Sequence, residues 1–192
     1  MFKRPSWPFR GLRGASAAAS GLVLAVLGGM ALAQQDKYTL QVPNGLAFSE
    51  FRGYETWQVV SISHNGPLLA AILANPVTID AYSTGIPGNG KPFPDGAKLA
   101  KIHWNPKMME TFPAATVPAT QHDMDFMVKD SKRFKDSAGW GWAVFEYDAA
   151  SDTFRPGNTT DMPPQANDAK CGLECHTSAK AKDYVFTDYG HR

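Results

Sequence analysis

Residues Thr56 to Ser63 alternate apolar and polar side chains and are rich in β-branched and aromatic types, which predicts a strand. Asn65-Gly66-Pro67 breaks that pattern, and the continuous apolar run Leu68 to Ala74 reads as a short helix. Asn75 followed by Pro76 has the form of an N-cap with proline at the first helical position, opening a helix to about Ser83. Gly85 to Gly96 is too rich in glycine and proline for regular structure and is read as a loop. Alternation resumes from Ala97 to Trp104, placing Lys98 and Ala100 on one face of a strand and Leu99, Lys101 and His103 on the other. Residues 105–120, with several prolines, read as a second loop. His122 to Lys129 reads as a strand, and residues 130–133 as a polar turn. Gly139 to Asp148, with Trp140, Trp142, Val144 and Phe145, is the strongest strand candidate. Residues 149–168 are turn-forming, and short helices bracket the cysteines between Lys170 and Tyr189. Several strands with few helices predict an antiparallel sheet with helical additions in a single domain.

The N-terminus changes this picture. Lys3, Arg4, Arg10 and Arg13 precede an apolar stretch, Gly21 to Met30, and Ala31-Leu32-Ala33 has the small-x-small form of a cleavage site. Residues 1–33 are therefore read as a secretory signal peptide, with an apolar core too short for a membrane span of about 20 residues. Residues 34–47 are polar, contain Pro43 and Gly45, and are expected to be a flexible lead-in to a domain at 48–192. The whole chain carries 19 basic and 18 acidic residues; without the first 33 the balance is 15 against 18. A mildly acidic mature chain gives no electrostatic reason to bind nucleic acid or anionic lipid. Export implies a periplasmic location.

The two cysteines, Cys171 and Cys175, lie four positions apart and are followed directly by His176. Two thiols and an adjacent imidazole are what covalent haem attachment needs: two sulfurs for the vinyl groups and one nitrogen for the iron. The usual signature is Cys-x-x-Cys-His, and here the spacer is one residue longer. A disulfide across so small a loop is geometrically awkward. Zinc would need a fourth ligand from His64, His103, His122 or His191, none of which has zinc spacing. With haem bound, His176 takes one axial position. Met108, Met109, Met124, Met127 and Met162 are the methionines from which a sixth ligand could come. His122, isolated on its strand, reads as a half-exposed structural residue.

Five separated blocks and the cysteine cluster together resemble the cytochrome P-460 and cytochrome c′-beta family. They are Phe51 to Trp57, Phe93-Pro94-Asp95-Gly96 with Lys101, Phe126 to Phe134, Gly139 to Phe145, and Lys182 to Thr187. They run in order over roughly residues 48 to 189. The resemblance implies an α+β fold, mainly antiparallel β-sheet with a few short helices, usually a homodimer. It also implies one haem c bonded to Cys171 and Cys175, with His176 on the iron and the other face open. Lys101 falls where one branch of the family bonds a lysine to the porphyrin. Asp125 falls where the hydroxylamine oxidisers carry a distal carboxylate. That branch implies redox chemistry on hydroxylamine or a related small nitrogen species, passed on to a redox partner protein. The other branch implies binding of nitric oxide or carbon monoxide without turnover, in a pocket walled by Phe93, Phe126 and nearby methionines.

Overall fold

The computed structural model describes residues 34–43, 45–157 and 169–190. Six strands, β1 (Gln58–Asn65), β2 (Leu68–Ala74), β3 (Lys98–Met109), β4 (Phe112–Lys129), β5 (Trp140–Asp148) and β6 (Thr153–Pro156), form one antiparallel sheet in sequential order. Helix α1 (Pro76–Ser83) follows β2, and helix α2 (Leu173–His176) runs into a 3-10 turn at Thr177–Lys182. This is the α+β single domain expected. Among the described residues no helix is long and apolar enough to cross a membrane.

Alternation sorts the side chains onto two faces. On one, Leu73, Ala100, Met124, Phe126, Ala143 and Phe145 pack against Val42, Leu46, Phe48, Phe51 and Tyr54 from the N-terminal turns. On the other, Ile72, Leu99, Met127 and Trp142 pack with α1, Phe93, Cys171 and Val185. Cross-strand pairing on this second face aligns Leu99 with Met127, Lys101 with Asp125, and His103 with Asp123.

Three expectations are corrected. Leu68–Ala74 is strand β2, not a helix. Asn65 and Leu68 are paired, and Gly66 takes the positive φ of +56° required at the first central position of a two-residue hairpin. Centrally placed between β1 and β3, the run buries both faces, which removes the alternation that marks a strand. Residues 105–120 are not a loop but the paired outer arms of β3 and β4, joined by a tight turn at Glu110-Thr111. Pro106 and Pro118 face each other where the register already shifts, so their missing N–H groups fall at an existing break in the ladder. The lead-in at 34–47 is packed: Val42 and Leu46 are fully buried, and Gln41 bridges Ala47. Asn75 does cap α1, its side chain accepting from Thr78 N at 3.1 Å. Residues 149–168 hold strand β6, and the remainder of that segment from 158, including Met162, lies outside the described residues, as do residues 1–33 and His191.

Candidate haem-binding site

Gly172 through Thr177 holds helical backbone angles, and His176 N donates to Gly172 O at 3.0 Å. Cys171 immediately precedes this turn and Cys175 lies within it, with no disulfide between them. Cys171 is buried and Cys175 exposed. The turn lies against β5: Trp142 N donates to Ala169 O at 2.8 Å, and a Cβ on Gly172 would come within 2.4 Å of the Trp142 indole. Only glycine allows that approach.

His176 Nδ1 lies 2.6 Å from the carbonyl oxygen of Tyr184. A carbonyl only accepts, so Nδ1 carries the proton and Nε2 keeps its lone pair for a metal. Burial lowers the pKa of this imidazole; the Tyr184 hydrogen bond opposes that and the charge of Lys101 adds to it. The neutral form, which binds metals, is thereby favoured. Trp142 and Phe186 flank the ring at centroid distances of 5.5 and 4.8 Å. Tyr184 reaches His176 because Asp183 and Tyr184 both take left-handed conformations, with φ of 50° and 65°. A buried ion pair holds that turn, Lys129 Nζ lying 2.8 and 2.9 Å from the two carboxylate oxygens of Asp183. Asp183 also accepts from Phe93 N at 2.8 Å, and Lys129 donates to Ala138 O at 3.0 Å.

Between this C-terminal segment and the sheet is a cavity of about 140 Å³. Ile72, Leu99 and Met127 form its apolar floor, Lys101 and Asp125 border it, and His176 and Phe186 close it from the other side. The expected partners Lys101, Asp125 and His176 are thus brought together. The Asp125 side chain is 40% exposed, yet desolvation against the sheet, reinforced by the negative charge of Asp123, pushes its pKa up to about 6 against the pull of His103 and Lys101.

Phe93 and Phe126 are not brought to this wall. Phe126 touches the cavity edge, but its ring belongs to the opposite face, stacked on Phe51 at 4.1 Å. Its neighbours Asp125 and Met127 take the cavity side, as alternation requires. Phe93 is wedged edge-on between Tyr82 and Trp140, at 5.2 and 5.9 Å, supporting the layer beside the site. Of the methionines, Met127 borders the cavity, Met124 lies on the far face, and Met108 and Met109 sit on the hairpin arm. Sequence reading missed Trp142, Ile72 and Phe186 as wall residues; the register of β2 and β5 would have placed the first two opposite Met127 and Lys101.

The residues present fit a c-type haem. Two cysteines not joined in a disulfide precede an imidazole whose Nδ1 is already held, which leaves Nε2 for a metal. Trp142, a residue of the cavity lining, carries a buried indole N–H with no hydrogen-bond partner among the described residues. A comparison with curated proteins finds no match. The family model for Cytochrome P460 matches residues 51–187, from the Phe51 block to the tail that holds His176. That match covers most of the chain and includes every block of the resemblance, so the chain belongs to the cytochrome P460 family and is a haem cytochrome of the c type.

Proposed function

We propose that this cytochrome, exported to the periplasm through residues 1–33, carries one haem bonded to Cys171 and Cys175 and oxidises hydroxylamine or a related small nitrogen species. The observation that carries the reading is the direct cross-strand opposition of Lys101 and Asp125 on the wall facing His176. The haem iron, when bound, supplies the position for the substrate nitrogen and the outlet for its electrons toward a redox partner. His176 would hold the iron through Nε2, its ring oriented by the Tyr184 carbonyl. Asp125 accepts the protons released by the substrate, and the apolar floor of Ile72, Leu99 and Met127 limits water. Lys101 is the candidate for an additional bond to the porphyrin, a distortion that shifts the iron's electronics. A homodimer belongs to the same reading, supported by Met108 and Phe112, both largely exposed on the β3–β4 arm.

Because Asp125 must be ionised to accept a proton, turnover rises as pH increases through about 6 and levels above it. Asp125→Asn keeps the shape and loses the base. It is expected to lower hydroxylamine oxidation by about 10²- to 10⁴-fold and to abolish that rise, as measured by steady-state assay across pH. An unchanged profile would remove Asp125 from the chemistry.

The second reading is a nitric oxide or carbon monoxide binding protein, favoured by that same apolar floor. Under it the holoprotein binds either gas and leaves hydroxylamine unconsumed.

A further inference from the structure

Asp125 does not stand alone on its face of the sheet. Two residues along β4, Asp123 is bonded on one side to Nδ1 of His103, its cross-strand partner, and on the other to Nδ1 of His122 at 2.8 Å. His103 Nδ1 is also 3.7 Å from Asp125 Oδ2, and the side-chain oxygens of Asp123 and Asp125 lie within 4.8 Å of each other, a gap one water spans. The register explains how His122 reaches this row. His103 pairs with Asp123 and Trp104 with Gln121, so His122 is the extra residue of a β-bulge. In regular alternation its ring would face away from Asp123; the bulge turns it back. Its side chain is 48% exposed, against 15% for Asp123 and 40% for Asp125, whose exposure includes the haem cavity it borders. His122, Asp123 and Asp125 together line a surface cleft of about 620 Å³, and Asp125 borders the haem cavity as well. One row of side chains therefore runs from cavity to solvent.

We propose that Asp123, held between His103 and His122, carries protons from Asp125 to the surface, with His122 as the exit group. This rests on the reading of Asp125 as the proton acceptor. Each proton leaving Asp125 enters a bridging water as that water releases one to Asp123. Asp123 hands it to Nδ1 of His122 in its Nε2–H tautomer, and the ring releases its Nε2 proton to bulk buffer. The exposed imidazole then regains its starting tautomer by taking a buffer proton at Nε2 and giving one up from Nδ1. Burial would raise the pKa of Asp123, but hydrogen bonds and charge from His103 and then His122 outweigh it and hold the carboxyl below its usual range. Asp123 therefore passes protons without storing them. His103 is a positioning residue, fixing the carboxylate. Among the described residues, the other charged groups facing the row are Lys101 on β3 and Glu146, opposite Asp123 on β5 and paired to Arg155 of β6 at 2.7 Å; β2 contributes Ala70 and Ile72.

The test uses the holoprotein and time-resolved infrared after a pH jump. The protonated-carboxyl band of Asp125 is identified as the one lost in Asp125→Asn. In His122→Ala that band is expected to grow roughly tenfold more slowly or worse, with its equilibrium midpoint still near 6, and added imidazole restores the rate. Asp123→Asn, which preserves shape, slows it without rescue. An unchanged rate in both variants, with the band present, means cleft water serves Asp125 directly and overturns the relay alone. Absence of any band sensitive to Asp125→Asn overturns the relay together with the reading it rests on.

Discussion

His176→Gly is expected to remove the axial nitrogen while leaving both thiols in place, and to lower turnover by more than the roughly 10- to 100-fold typical of altering an outer-shell partner. Among the described residues lining the cavity, this imidazole is the only metal-binding side chain on the tail side, and its ring is fixed by Tyr184, Trp142 and Phe186. Removing it leaves a ring-sized gap beside the indole, so imidazole added to the purified variant should occupy it. The expected spectrum of the variant lacks the histidine-bound form and regains it with imidazole. A variant whose optical spectrum and turnover match those of the parent would place the ligand elsewhere.

The second large effect lies away from the cavity. Lys129 and Asp183 are 7% and 12% exposed and meet through both carboxylate oxygens. Removing one partner strands the other charge in a poorly solvated site, which typically costs about 3–5 kcal/mol. Lys129→Met is therefore expected to lower Tm by about 10 °C in a domain of this size, measured by thermal unfolding of the holoprotein. The double variant Lys129→Met/Asp183→Leu should regain much of the loss, because it strands no charge. The pair also holds the left-handed residues that present the Tyr184 carbonyl to His176. Asp183→Asn should thus disturb the His176 ligand even at temperatures where the fold persists. Equal stability of parent and Lys129→Met would mean that the pair contributes nothing to the fold.

The cysteine cluster, the capped start of α1 and the two faces of β3 were legible because each rests on local chemistry or on a clean period of two. Lys98 and Ala100 do lie opposite Leu99, Lys101 and His103, and that alternation placed Lys101 beside the site. Legibility failed where a pattern has two solutions. Leu68–Ala74 is apolar throughout because β2 is central and buried on both faces, a run that periodicity cannot tell from a helix. Residues 105–120 looked too rich in proline for a strand, yet Pro106 and Pro118 oppose each other at a register shift. The resemblance puts Phe126 on an apolar haem wall, whereas parity along β4 sends Asp125 and Met127 there and the Phe126 ring to the other side. The His103–Asp123–His122 row needed both the β3–β4 register and a bulge. Neither is written in the spacing of one strand.

Intact mass and the optical spectrum of the mature, exported protein test the central claim most directly. The account predicts the mass of the peptide plus one haem, with colour that stays with the chain after unfolding in acid and solvent. A Lys101 bond would further displace the absorption bands. A colourless chain from maturation-competent cells, with Cys171 and Cys175 joined in a disulfide, would contradict it.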